Sequence, residues 1–289
     1  MDPDSELKRA STKVSRFLLI TFFASCEYNQ ADSKSNTTAR AALAKDSVVV
    51  KQDTVQRHSK TIYLTFDDGP NRGSNNVLKA ATEEQIPITM FLIGQHISAS
   101  PGQMYTYQNI TKNPLVEIQN HSYTHAHNHF EKFYMRPDLV NDDFVRCSDS
   151  LHLLSNIIRT PGRNIWRTSN ISFTDVKKTS STGDSLQKRG FNIVGWDVEW
   201  RFDNHLKLLK TDEELVRQIG NLFEDGKTKT PNHLVLLAHD QTFSDSTNFA
   251  SLRRFFKELK NTGEYNFEVI SKYPNLKNNA VKNDTAILK

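Results

Sequence analysis

Cysteine is almost absent: Cys26 and Cys147 are the only two in 289 residues. That number excludes a disulfide-scaffolded fold, and their spacing matches no thiolate metal site, so a metal must be held by nitrogen and oxygen ligands. Glycine (11) and proline (9) are sparse, which excludes collagen-like and low-complexity chains. The most apolar run, Phe17–Ala24, is too short to span a bilayer. No internal repeat of solenoid period is present. The net charge of +4 is too small an excess to argue for a nucleic-acid or lipid-surface binder. What is present, 37% hydrophobic and 24% charged residues, describes an ordinary globular protein with room for one large domain or two small ones.

Lys8, Arg9, Lys13 and Arg16 precede the Phe17–Ala24 run, and Ser25-Cys26 follows it, the charged, apolar and small-residue order of an export signal. Phe23-Ala24-Ser25-Cys26 resembles a bacterial lipoprotein processing box, with Phe23 in place of the usual Leu. Residues 1–25 are therefore expected to be a lipoprotein-type signal peptide. Cys26 would be a lipid anchor, placing the mature chain on a bacterial membrane, in the periplasm or at the cell surface. A plain signal peptide cut near Ser25 and a buried N-terminal strand are the alternatives. Residues 26–58 have the composition of a flexible linker, residues 59–273 form the expected folded domain, and residues 274–289 form a polar tail.

From Lys60 onward, β-rich runs alternate with amphipathic stretches. Strands are predicted at Thr61–Phe66, Ile88–Ile93, Leu115–Gln119, Asn156–Thr160, Phe191–Val198, Leu234–Ala238 and Phe267–Ile270. Helices are predicted at Ser74–Glu84, Pro101–Lys112, Pro137–Leu154, within Ser172–Lys188, at Thr211–Asp225 and at Thr247–Lys260. Thr211 and Glu214 have capping-box spacing, and Gly226 stands at a helix stop. The class is α/β with a parallel sheet, open or closed into a barrel. In such folds chemistry gathers at the carboxyl ends of strands. The polar outliers stand there: Asp67-Asp68, His121, Arg159, Asp197 and Glu199, and His239-Asp240.

Asp67 and Asp68 adjoin a Gly69-Pro70 turn that lets both point into one site, and a cation beside each would relieve their repulsion; a simple turn pair is the plainer reading. His121 and His125, at i and i+4, could share one face of a helical turn and, with Asp68, supply two nitrogens and an oxygen to a metal with open positions. The alternative is a solvent-exposed His tract, and His127 and His129 are taken as incidental. Arg159 needs a carboxylate in its apolar context, and Asp67 is available. Alternation puts Asp197 and Glu199 on one face, Trp196 and Val198 on the other. His239 is the first polar residue after the buried run Leu234–Ala238 and should emerge at the rim.

Thr65–Pro70, His121–His125, Arg159-Thr160-Pro161, the acidic strand ending at Trp200, and Val235–His239, taken in order, resemble the five motifs of the polysaccharide deacetylases, carbohydrate esterase family four or the NodB homology domain. The resemblance spans roughly residues 60–270. It implies a distorted (β/α) barrel with seven or eight strands and a metal-dependent enzyme acting on N-acetylated sugars. It further implies Asp67 as general base, Asp68, His121 and His125 as metal ligands, Arg159 as the residue orienting the base, and His239 as general acid. The family usually has an aromatic residue after Pro161, whose amide helps hold the oxyanion and whose ring walls the groove. Here Gly162 follows, with Trp166 a candidate substitute and Trp200 a further substrate contact. Asp197 and Glu199 compete as the carboxylate orienting His239.

The expected reaction is metal-dependent removal of N-acetyl groups from N-acetylglucosamine-type residues of a cell-envelope polysaccharide, peptidoglycan first. Zinc suits the ligands best, with cobalt, manganese or nickel able to replace it. Chitin oligosaccharides, an exopolysaccharide and xylan are alternative substrates. A non-catalytic glycan-binding module on the same fold is the reading from another class, and the ligand triad by itself is also that of non-haem iron oxygenases. No nucleic-acid partner is expected.

Overall fold

The computed structural model describes residues 59–276. The expected signal peptide, Cys26, the 26–58 linker and most of the C-terminal tail lie outside them. The described strands are β1 (Lys60–Gly69), β2 (Ile88–Leu92), β3 (Val116–Asn120), β4 (Ile157–Ile158), β5 (Ile165–Arg167), β6 (Ser172–Thr174), β7 (Asn192–Ile193), β8 (Val198–Glu199), β9 (His233–His239) and β10 (Tyr265–Phe267). They form one sheet in the order β6-β5-β7-β4-β3-β2-β1-β9-β8, with β10 also on β1. Every pairing is parallel except those of β5, which runs against β6 and β7. The sheet curls into an incomplete barrel whose path ends at β6 and β8. The helices are α1 (Ser74–Glu84), α2 (Pro101–Lys112), α3 (Phe130–Tyr134), α4 (Pro137–Ser150), α5 (Ser180–Arg189), α6 (Asp212–Glu224) and α7 (Ser246–Asn261).

Side-chain alternation sorts the strands into two faces. Ile62, Leu64 and Phe66 of β1, Ile88, Met90 and Leu92 of β2, and Leu234, Leu236 and Ala238 of β9 join Val77, Ile219 and Phe256 of the helices in the main core. The intervening residues Tyr63, Phe91 and Val235 meet Trp166 and Val194 in a second cluster. Toward the carboxyl ends this second face turns polar at Thr65, Asp67 and His239. A buried face whose last residues are ionisable is a site in the making.

Helix ends follow local chemistry. Ser100 caps α2 by accepting from Gln103 N with Pro101 at the first turn. Thr211 and Glu214 close the predicted capping box on α6. Gly226 takes the left-handed conformation (φ 62°) expected of a helix stop.

Three predictions need correction. The strand expected at Phe191–Val198 divides into β7 and β8, because Gly195 packs so tightly against Asn164 and Trp166 that a side chain there would clash. The antiparallel pair β5–β6 was not foreseen. Residues Asn275 and Leu276, assigned to the tail, still pack: Asn275 O accepts from Ser169, and Leu276 lies against the second cluster. Cys147 is free and buried, its thiol donating to Leu92 O.

Candidate active site

β1 and β9 pair in parallel with Asp67 opposite His239. β1 then breaks its regular register with β2 between Asp67 and Gly69, and Asp68 adopts φ 76°. That break turns both carboxylates into the same cavity, as two residues of a regular strand could not be. Asp67 is buried at 2% exposure and accepts from Arg159 Nη1 at 2.9 Å.

Arg159 is fully buried. Besides Asp67 it donates to Thr65 Oγ1 (2.6 Å), Val194 O (3.1 Å) and Gly195 O (2.9 Å), and its guanidinium lies 4.2 Å from the Phe91 ring centroid. Burial lowers its pKa, and the Asp67 charge works against that shift. The fixed fork of donors makes Arg159 the frame that holds Asp67.

His121 and His125 were expected on one face of a helical turn, and the structure corrects this. β3 ends at Asn120, and Asn120 Oδ1 accepts from Ser122 N while Asp143 Oδ2 of α4 accepts from Tyr123 N and Thr124 N. From His125 to Asn128 the backbone is left-handed (φ 52°, 57°, 47° and 59°), a strained run for non-glycine residues. The turn nevertheless brings both imidazoles to Asp68. Asp68 Oδ1 is 3.4 Å from His121 Nε2 and 3.1 Å from His125 Nε2.

The second nitrogens settle what those Nε2 atoms present. His121 Nδ1 lies 3.0 Å from the Arg159 carbonyl oxygen, which can only accept, so Nδ1 donates there and Nε2 is the atom left to bind a cation. His125 Nδ1 lies 3.2 Å from Asn128 Oδ1 in the same way. Asp68 Oδ1 is buried without a hydrogen-bond donor. Candidate ligand atoms thus converge within 4.8 Å of one another, an arrangement that a cation would satisfy. The pKa shifts express the same demand for positive charge. Burial alone would raise the pKa of Asp68, but His121 and His125 beside it hold it well below the usual carboxylate range. Burial opposes charge on His125, yet the adjoining Asp68 raises its pKa. The donor set therefore fits a divalent metal.

One cavity of about 330 Å³ joins these groups, lined by Asp67, Asp68, His121 and His125 together with Phe130, Gly162, Trp196, Glu199, Arg201, Phe202, Leu237 and His239. Of the four expected substrate contacts only Gly162 lines it. Pro161 is buried beneath with its carbonyl accepting from Tyr134 OH. Trp166 is fully buried against Tyr273, and Trp200 sits in the main core against Phe243 and Phe255 with its Nε1 donating to Lys210 O. Neither indole can touch a ligand in the cavity.

Asp197 and Glu199 also part company. Asp197 does not line the cavity and accepts from Lys229 N and Val235 N, and burial raises its pKa to about 6. Glu199 lines the cavity with Trp196, because the expected alternation fails where the strand breaks before Val198. His239 Nδ1 is buried and has no hydrogen-bond partner, so neither carboxylate binds it directly. Sequence reasoning missed Phe130 and Phe202 and gave no role to Asp240, which is fully buried and accepts from Asn71 Nδ2 and Ser74 Oγ across the Gly69-Pro70 turn. Asp240 follows His239 directly, a signal that was legible but unused.

A curled, mainly parallel sheet with a carboxylate–imidazole cluster at its carboxyl edge defines an α/β architecture with a candidate metal centre. Residues 54–169 match the family model described as polysaccharide deacetylase. A chitooligosaccharide deacetylase of Bradyrhizobium is 28% identical over 152 residues, 50% of this chain and 58% of the relative. A peptidoglycan-N-acetylglucosamine deacetylase of Bacillus cereus is 25% identical over 219 residues, 73% of this chain and 70% of the relative. Among solved structures, the catalytic domain of peptidoglycan N-acetylglucosamine deacetylase from Eubacterium rectale superposes with a TM-score of 0.55 at 20% identity, covering 78% of this chain and 94% of that one. A family 4 carbohydrate esterase from Streptomyces lividans gives 0.52 at 20% identity, covering 75% and 96%. The structural likenesses establish the fold.

Proposed function

We propose that this chain is a metal-dependent polysaccharide deacetylase that hydrolyses the acetamide of N-acetylglucosamine-type residues, releasing acetate and leaving a free amine on the glycan. The observation that carries this reading is the pairing of Asp67 with His239 across β1 and β9, beside the Asp68–His121–His125 cluster and in one cavity. A binding module would need neither a buried carboxylate nor an imidazole opposite it. Hydrolysis uses both.

Asp68, His121 and His125 would hold the metal, and two imidazoles with one carboxylate suit zinc. When bound, that cation supplies Lewis-acid polarisation of the acetamide carbonyl and acidifies water. Asp67 takes a proton from the attacking water as its oxygen bonds to the carbonyl carbon. Arg159 keeps Asp67 in place through the 2.9 Å bond. The backbone N–H of Gly162 donates to the oxyanion. His239 delivers a proton to the nitrogen as the C–N bond breaks.

Peptidoglycan is the leading substrate. The export signal, with Cys26 as lipid anchor, would place the chain outside the cytoplasm where that polymer lies. The Bacillus cereus relative is named for that substrate and the Bradyrhizobium relative for chitooligosaccharides. The test is acetate release by chain stripped of metal and reloaded with zinc, on peptidoglycan and on N-acetylglucosamine oligomers, with Asp67→Asn as control. Zinc-dependent release that the control lacks is expected. Tight zinc binding with no release from any acetylated glycan would leave the binding-module reading standing instead.

A further inference from the structure

Two phenyl rings line the cavity, and each stands on one of the imidazoles to which the proposed reaction assigns a role. Phe130, at the start of α3, meets His125 edge-on with centroids 5.4 Å apart and ring planes at 90°. Phe202, three residues beyond the start of the Glu199 side of the site, meets His239 with centroids 5.2 Å apart and planes at 73°. A backbone bridge between Phe202 and Leu208 closes the loop that carries it. Both rings are half-buried, so each keeps surface open to the cavity.

Gly162 explains why the first ring can lie where it does. Its φ is 62°, and a Cβ there would stand 3.3 Å from three carbons of the Phe130 ring. A side chain at 162 would therefore press the Phe130 ring back by a few tenths of an ångström and strain the left-handed backbone. The left-handed run from His125 to Asn128 delivers the ring to that place, so one strained turn sets both a lone-pair donor and an apolar wall.

The rest of the cavity is carboxylate, imidazole and guanidinium, apart from Trp196 and Leu237. A pyranose ring has C–H-rich faces and its acetamide ends in a methyl group, both of which gain by leaving water for an aromatic surface. We propose that Phe130 and Phe202 are the apolar walls of the reacting-sugar subsite, taking an N-acetylated pyranose between the metal-side and the acid-side imidazoles. This assignment rests on the deacetylase reading above.

The experiment is calorimetric titration of a tetrameric N-acetylglucosamine oligomer into the full chain loaded with zinc, in an Asp67→Asn background so that the ligand survives. Phe130→Ala and Phe202→Ala should each weaken binding about five- to tenfold, while Phe130→Tyr and Phe202→Tyr stay within about twofold of the parent. Zinc content, measured alongside, shows that each variant is folded around its ligands. Ala variants that bind as the parent does, or Leu variants that restore binding fully by bulk alone, would overturn the assignment. A parent that binds zinc but no acetylated oligomer would instead overturn the deacetylase reading, and this inference with it.

Discussion

Replacing Asp67 by Asn separates the two tasks proposed for this side chain. The amide keeps the shape and can still accept from Arg159 Nη1, now 2.9 Å from Oδ1, but it cannot take a proton. Loss of a general base lowers kcat by about 10²–10⁴. The structural cost is smaller than that of a wholly stripped buried cation, about 3–5 kcal/mol. Arg159 retains Thr65 Oγ1, Val194 O and Gly195 O, and the neutral bond that replaces the charged one has roughly half its strength. A loss of about 2–3 kcal/mol in unfolding free energy is expected. Acetate release, zinc content and urea unfolding of the same preparation read the three quantities. A variant with turnover within about threefold of the parent would refute the base assignment. One that lost zinc would make Asp67 a ligand, a real alternative because its Oδ2 is 3.6 Å from His121 Nε2.

His125→Ala should raise the zinc Kd by about a hundredfold or more; in the parent, zinc affinity falls as pH drops, since the metal must displace a proton from a His125 whose pKa Asp68 raises despite burial. Chelator competition between acid and neutral pH reads this, and a flat profile would contradict it. Burial raises the pKa of Asp240 to about 8 and that of Asp197 to about 6, both above the ordinary 3.8. The folded chain therefore binds more protons than the unfolded chain over that span, and its stability falls as pH rises from about 4 to about 8. In metal-free protein Asp240→Asn should flatten the upper part of this fall in Tm, and a curve parallel to the parent's would contradict it. Trp166→Phe removes a buried indole N–H that has no partner and does not line the cavity. It should change stability by no more than about 1.5 kcal/mol and leave the glycan KM unchanged, whereas a raised KM would return Trp166 to the groove.

The strand ends were legible because chemistry there interrupts a strong pattern. Thr65-Phe66-Asp67 and Leu237-Ala238-His239 run out of buried apolar residues at polar ones, and alternation alone puts Asp67 and His239 on the inner face. Helices α1 and α2 were legible end to end, the second from its Ser-Pro start. What failed depended on contacts distant in sequence. No local rule tells that Gly195 is pressed against Asn164 and Trp166 and so splits a strand, or that Trp166 is thereby sealed from solvent. The i, i+4 spacing of His121 and His125 gave the right pair for a wrong reason. The turn is held by Asn120 and by Asp143, and it is left-handed. Phe130 went unread because an aromatic beside four histidines and a charged run carries no period.

The register that sets Asp67 opposite His239 has an evolutionary consequence. Adjacent parallel strands stand about 4.8 Å apart whatever side chains they carry, so the separation of the two proton-handling groups is a property of the backbone ladder. The apolar walls proposed above, by contrast, come from the first residue of α3 and the loop after β8. The loop that carries Phe202 can be resurfaced without moving either strand, whereas the segment that carries Phe130 also carries His125 and is tied to the ligand cluster. Selection for a new glycan can therefore act on the Phe202 loop while the reaction chemistry is inherited unchanged.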